Sequence, residues 1–359
     1  MADGPINEAA VNAALDSLLD PETGRSVVQM GQVSDIVIDG ASVKLKLALS
    51  THSAPLWQEV CAQAEQSLRA QLISVNEVQI EQVIHPRPPE KLGQVGLTVK
   101  SLIAVGSGKG GVGKSTLAVS LALGLQRAGC KVGLLDADFY GPSVPHLLGI
   151  EGSPHQENNQ VIPVDCNGMP VMSIGFLVPA DQAVVWRGPM LHNHMQLFLA
   201  QTRWGDLDYL IVDMPPGTGD IALSLSQMLP VTGTVIVCTP QQVALLDAVK
   251  AISMMGTVKI PVLGVVENMS GFVCPDCKKN YDIFGSGGAR TKAEELGVPF
   301  LGEVPINMAI RTLGDAGRAV DVFNDDIVAP YLDRICYQLV RSLSDSAAEA
   351  PPLPNLTVL

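Results

Sequence analysis

The chain has 359 residues, enough for two or three domains and a large buried core. It is 47% hydrophobic but only 4% aromatic, an aliphatic composition that offers little surface for stacking bases. Its formal net charge of −13 argues against wrapping nucleic acid or lying on an anionic membrane, since both attract basic surfaces.

The opening stretch "MADGPINEAAVNAALDSLLD" lacks the basic segment followed by an apolar core that marks a secretory signal. No apolar run approaches the roughly 18 residues needed to span a bilayer. The expectation is a cytoplasmic protein with no membrane and no nucleic-acid partner. Seven dispersed cysteines, an odd number, argue against a disulfide framework in that compartment.

Residues 5–84 read as a small α/β unit. "INEAAVNAALDSLL" has helical apolar spacing, and "VSDIVIDG" and "ASVKLKLALS" alternate at period two around the Asp39-Gly40 turn. "PLWQEVCAQAEQSLRAQL" is again helical and "VNEVQIEQV" strand-like, giving the order α-β-β-α-β. The stretch "IHPRPPEKLGQVG" has linker composition and places a boundary over residues 85–98. From residue 99 to 343, Val/Ile/Leu runs alternate with helical patterns, as in "SLIAVGS", "STLAVSLALGLQRAG", "LDYLIVDM" and "GTVIVCT". Runs buried on both faces predict an α/β fold with a doubly wound, mostly parallel sheet. The tail "SDSAAEAPPLPNLTVL", residues 344–359, is expected to lack regular structure.

"IAVGSGKGGVGKSTLA" fits G-x-x-x-x-G-K-[ST] between a predicted strand and a predicted helix. Gly108, Lys109, Gly110, Gly111, Val112 and Gly113 form a loop whose amides can face phosphate oxygens, and the new helix adds the positive end of its dipole. Lys114 reaches the terminal phosphates, Ser115 offers a hydroxyl to Mg²⁺, and Thr116 closes the motif. The extra Lys109 resembles the deviant Walker A pattern of the ATPase class that includes MinD, ParA, the nitrogenase iron protein and the arsenite-pump ATPase. That resemblance implies that Lys109 reaches across a homodimer to the partner's ATP, as an arginine finger does.

Two acidic strand ends, "VGLLDADFYGPSVP" and "LIVDMPPGTGD", lie where ligands bind in open α/β sheets. The same resemblance makes Asp138 the group that orients or deprotonates the attacking water and brings Asp136 near the Mg²⁺ shell. It makes Asp213 the Walker B carboxylate and Gly217 the backbone that senses the γ-phosphate. Asn268 in "VVENMSG" resembles the adenine-reading asparagine of these ATPases, and its amide can both donate to and accept from a base edge.

"GFVCPDCKKNYDIFG" supplies one close cysteine pair, Cys274 and Cys277, spaced to grip one metal centre. Such centres usually take four ligands, and the chain has no second Cys-x-x-Cys. If two copies meet at a two-fold axis, two plus two thiolates make Cys₄, which suits a bridging [4Fe–4S] cluster and zinc equally well. A redox pair remains a third reading of the spacing. His192 and His194 are two apart and do not share a helix face, and Cys130, Cys166, Cys238 and Cys336 are dispersed.

Taken together, "SGKGGVGKST", "DADFYGPSVP", "WRGPM", "DMPPGTGD", "ENMSGFVCPDC" and "IFGSGGA" resemble the Mrp/ApbC family of iron–sulfur cluster carrier ATPases, over Ser101 to about Ser342. Residues 5–84, including "DPETGRSVVQMGQV", resemble the small MIP-type domain often fused ahead of it. That domain commonly carries a cysteine before a proline after its second strand; here Ala54 precedes Pro55, and Cys61 lies on the following helix as an expected core thiol. The resemblance implies a homodimeric ATPase using ATP and Mg²⁺ that receives a [4Fe–4S] cluster from an assembly scaffold and delivers it to apo-proteins. A spatial-organising switch like MinD or ParA, which would call for a basic tail or patch, and an electron-transferring reductase like the nitrogenase iron protein are the competing readings.

Overall fold

The computed structural model describes residues 6–93, 96–177, 188–217, 219–274, 276–277 and 279–349. Trp186 and Arg187 of "WRGPM", Thr218, Pro275 and the last ten positions of the tail lie outside the described residues. Contacts divide the chain into two units. One holds the described residues up to Arg87 together with those from Val340 onward, and the other runs from Pro88 to Leu339.

The first unit has the order read from its periodicities: α1 (Glu8–Leu15), β1 (Val33–Asp39), β2 (Ser42–Leu49), a 3₁₀ turn over Thr51–Leu56, α2 (Trp57–Gln71) and β3 (Glu77–Ile84). β1 and β2 pair antiparallel and β3 joins β2 in parallel. One face of β2, Val43, Leu45, Leu47 and Leu49, is fully buried with Val11, Leu15, Ala64 and Leu68 of the helices. The "DPETGR" loop is organised by Asp20, which is 0% exposed and accepts from Arg87 at 2.8 Å, Thr23 at 2.8 Å and Gln32 at 3.2 Å. Burial alone would raise this carboxyl, but the Arg87 guanidinium and the other donors hold it below its usual range. Ala54 is buried in the 3₁₀ turn, and Cys61 is half-buried on α2.

The second unit begins with β4 (Lys91–Leu92), β5 (Leu97–Ser107), α3 (Lys114–Arg127), β6 (Val132–Asp136), α4 (Val144–Leu148) and the short strands β7 (His155–Glu157), β8 (Gln160–Ile162) and β9 (Val164–Cys166). It continues through β10 (Met169–Ser173), α5 (Gly188–Ala200), β11 (Leu207–Asp213), α6 (Gly219–Met228), β12 (Gly233–Cys238) and α7 (Gln242–Thr257). The last elements are β13 (Val262–Val273), β14 (Asn280–Tyr281), α8 (Gly288–Leu296), β15 (Phe300–Ile306), α9 (Met308–Asp315) and α10 (Ala329–Glu349), whose final turns belong to the first unit. The strands β15-β13-β12-β5-β11-β6-β10 are adjacent in that order and parallel, and the short strands β4, β14 and β9 pair antiparallel with β5, β13 and β10. Every residue of β6, β11 and β12 is buried, as unbroken aliphatic runs require of strands covered on both faces.

Two boundaries differ from the sequence reading. The linker is partly ordered, because Lys91 and Leu92 pair antiparallel with Thr98 and Leu97 and Arg87 is anchored on Asp20. The segment from residue 344, expected to be irregular, continues α10 to Glu349. Its Ala and Glu residues sustain a helix, and Arg341 pairs with Glu59 while the backbone at Ala347 lies against Gly24. Among the described residues no helix is long and apolar enough to cross a membrane.

Candidate functional site

β5 delivers the chain to a loop over residues 108–113, and α3 starts at Lys114. Two of its glycines are required sterically. A Cβ on Gly108 would lie 2.2 Å from the Asp247 carbonyl oxygen, and one on Gly113, where φ is +83°, would lie 2.2 Å from Asn268 Nδ2. Lys109 is half-buried at the loop's tip, and its carbonyl accepts from the Ser107 hydroxyl at 2.9 Å.

The Lys114 ammonium is 6% exposed and gathers the acidic strand ends. It donates to Asp213 Oδ1 at 2.5 Å, lies 3.1 Å from Ser115 Oγ and stands 3.5 Å from Asp138. Parallel register sets Asp213 of β11 directly opposite Asp136 of β6. Burial pushes the Asp213 carboxyl up, and Lys114 pulls it back only in part. Burial and the charge of Asp213 push Asp136 up to about 7 against the hydrogen bonds that favour its ionised form. Those bonds come from Ser173 Oγ at 2.9 Å, Val144 N at 3.2 Å and Asp138 N at 3.1 Å. Asp136 therefore has both oxygens occupied and anchors the segment that carries Asp138. Asp213 Oδ2, in contrast, is buried without a hydrogen-bond partner. An orphaned carboxylate oxygen beside the Ser115 hydroxyl is the donor set that suits a hydrated Mg²⁺.

Gly217 ends the "DMPPG" turn with its N–H given to the Ser107 carbonyl at 2.9 Å, so the turn lies against the start of the loop. Asn268, in the middle of β13, donates from Nδ2 to the Val112 carbonyl at 2.9 Å. Beside it opens a pocket of about 400 Å³ whose lining includes Gly113, Thr116, Asn268, Met269 and Phe284. Its far wall, from Pro305 to Met308, was not singled out from sequence. The available signal was position, since these residues form and follow the C-terminal end of β15, on the same sheet edge as the aspartates.

β13 runs on to the cysteine pair. Phe272 and Val273 pair with Tyr281 and Asn280, and Cys274 N–H donates to the Lys279 carbonyl at 3.0 Å, so the motif forms the tip of a β-hairpin. Cys274 is half-buried and Cys277 exposed. The backbone N–H groups of Cys277 and Asp276 point at the Cys274 sulfur and, with the Cys277 side chain, pull its thiol down toward the thiolate that metals bind. Burial pushes Cys238 and Cys336 up to about 12 and raises Cys166 and Cys61 also, which marks them as packing groups. His194 packs against Phe139 with ring centroids 6.4 Å apart. Among the described residues of one chain, no group of three or more His, Cys, Asp or Glu side chains could hold a metal.

Residues 98–340 match the family model described as NUBPL iron-transfer P-loop NTPase, and residues 8–81 match one described as iron-sulfur cluster assembly protein. The iron-sulfur cluster carrier protein of Deinococcus radiodurans is 44% identical over 357 residues, covering 97% of this chain and 100% of that protein. The protein of that name in Escherichia coli K12 is 48% identical over 248 residues, 67% of each chain. Among solved structures, a nucleotide-binding protein from Archaeoglobus fulgidus in complex with ADP is 42% identical and superposes with a TM-score of 0.56, over 62% of this chain and 89% of that one. The cell division ATPase MinD of Pyrococcus furiosus shares the fold at 21% identity, with a TM-score of 0.50 over 66% of this chain and 97% of that one.

Proposed function

This chain belongs to the NUBPL iron-transfer P-loop NTPase family, and from that premise we propose that it is an ATP-hydrolysing carrier that holds a [4Fe–4S] cluster between two copies and passes it to apo-proteins. The observation that carries the reading is β13, one strand that bears Asn268 at the P-loop and ends at the Cys274–Cys277 hairpin. The reading takes an assembly scaffold as the cluster's source and the cytoplasm as the working compartment.

In this mechanism the amides of residues 108–113 and the N-terminus of α3 bind the phosphates. Lys114 leaves the carboxylates it now neutralises and turns its charge to the β- and γ-phosphates. Ser115 and Asp213 are the residues that would hold Mg²⁺, which would supply charge neutralisation at the phosphate oxygens. Asp136 acts through its neighbour, bracing the 138–144 segment. Asp138, close to Lys114, orients the attacking water. Gly217 can offer its N–H to the γ-phosphate only by giving up Ser107, which makes the turn a sensor of phosphate occupancy. Lys109 completes the partner copy's site. The base is read by Asn268 in the adjoining pocket.

Each copy supplies Cys274 and Cys277, so the cluster needs both copies. Anaerobic reconstitution of the full chain with iron and sulfide should yield about one cluster per two chains, by absorption and by iron and sulfide analysis. A heterodimer of one intact chain and one Cys274→Ala/Cys277→Ala chain should bind none stably. Full occupancy in that heterodimer would overturn the bridging arrangement, and tightly held zinc with no iron uptake would overturn the cargo.

A further inference from the structure

One buried carboxylate has no part in that mechanism. Glu267, immediately before Asn268, is 0% exposed, and the donors that its carboxylate accepts from are all neutral. Its Oε1 accepts from Ser270 Oγ at 2.6 Å and from Gly287 N at 2.7 Å, and its Oε2 accepts from Ala289 N at 2.6 Å. A buried carboxylate without a cation is tolerated only while such donors stay in place. The two amides lie at the start of α8, where the helix dipole adds to their effect. Glu267 thereby ties the segment 282–289 to β13.

That segment touches both functional features. Phe284 forms part of the wall of the pocket beside Asn268, and the Gly285 carbonyl accepts from Gly271 N at 3.2 Å at the base of the cysteine hairpin. Between the two sites β13 is irregular: Met269 and Gly271 have φ of 58° and 68°, and its pairing with β15 shifts register between Asn268 and Phe272. A base bound at Asn268 competes with the bond to Val112. Any movement of Asn268 passes to Met269 and to Ser270, whose hydroxyl rests on Glu267.

We propose that Glu267 is a positioning residue that links occupancy of the nucleotide pocket to the geometry of the Cys274–Cys277 hairpin. The inference rests on the functional reading above. Neither the phosphate loop nor the aspartates contact Glu267 in the hydrogen bonds described, so the residue acts on communication between sites.

The test measures alkylation rates of Cys274 and Cys277 in the full-length, cluster-free protein, with and without Mg²⁺ and a non-hydrolysable ATP analogue. In the wild type, saturation should change the rate by about fivefold or more, the usual scale of coupling between sites. In Glu267→Gln either orientation of the amide sets an N–H against a backbone N–H. The ratio should then fall to within about twofold of unity while nucleotide affinity changes by less than about tenfold. Ser270→Ala, which removes one donor and leaves both amides, should give an intermediate ratio and decides the matter if the first variant does not fold. A wild-type ratio in a folded Glu267→Gln protein, or in Ser270→Ala when that variant decides, overturns the proposal. So does a wild-type protein that binds nucleotide and loads a cluster but shows no dependence of alkylation on nucleotide. A wild-type protein that binds no nucleotide or loads no cluster overturns the functional reading and this inference with it.

Discussion

Replacing Lys114 by Met tests the electrostatics of the nucleotide site in the protein without nucleotide. The ammonium is 6% exposed and donates at 2.5 Å to Asp213, which is 0% exposed, with Asp138 at 3.5 Å. Removing one partner of a buried pair costs about 3–5 kcal/mol when the other stays charged. Asp213 can avoid part of that cost by taking up a proton, since its carboxyl is already raised by burial and loses the cation that pulls it back. An acid raised in the folded state contributes stability that is fully present below its ordinary value of 3.8 and is lost as pH rises through the folded value. The deficit of the variant should therefore be small near pH 5 and grow by about 1.4 kcal/mol per pH unit until it reaches the full cost of the lost pair. By calorimetry, the transition that ADP raises in the wild type should fall by roughly 6–20 °C at pH 8 in the variant. ADP should no longer raise it. Equal midpoints in the two proteins, or a deficit that shrinks with pH, would refute the reasoning, and wild-type ATPase activity in the variant would remove Lys114 from its assigned role.

Asp138→Asn keeps the shape of the side chain but not the charge, so ATP should still bind while hydrolysis slows by on the order of 10²–10⁴ if the carboxylate acts as general base. Loss of nucleotide binding instead would reassign Asp138 to structure or to Mg²⁺. Gly113→Ala places a Cβ 2.2 Å from Asn268 Nδ2 at a φ of +83°. The left-handed backbone alone costs about 1–2 kcal/mol, and displacement of Asn268 should abolish ADP binding by calorimetric titration; unchanged affinity would contradict the placement of the loop. Cys274→Ala should eliminate the reconstituted cluster absorption yet leave ADP affinity within about twofold of wild type, and a parallel loss of both would show that the two sites are not separate.

The phosphate loop was legible because its chemistry is contiguous: eight residues that join a strand to the first turn of a helix state both the ligand and its position. Asp136, Asp138 and Asp213 were legible as strand ends, but not their division of labour. That depends on which oxygens find donors, and Ser173, which donates to Asp136, is 37 residues away in sequence. Glu267 carried no signal in the sequence because its partners Gly287 and Ala289 lie beyond the hairpin. The far wall of the pocket was hidden for a similar reason, since Pro305 and Asn307 carry no motif and gain meaning only from the edge on which β15 ends. The tail misled through composition: Ser, Asp and Ala resemble a solvated segment until α10 gives Ala347 the surface around Gly24 to lie against.

The division of α10 has a consequence for synthesis of the protein. The first unit is discontinuous, with residues up to Arg87 made first and those from Val340 made last. At ordinary elongation rates, roughly 10–50 s separate the two pieces. During that interval the early piece lacks the turn of helix that pairs Arg341 with Glu59 and packs Ala347 on Gly24. The nucleotide-binding unit, encoded in between, can therefore complete its sheet before the unit that precedes it in the message is closed. A ribosome stalled before codon 340 would carry the P-loop while the first unit is still unclosed, and protease added to such stalled complexes should cut within residues 6–87 first.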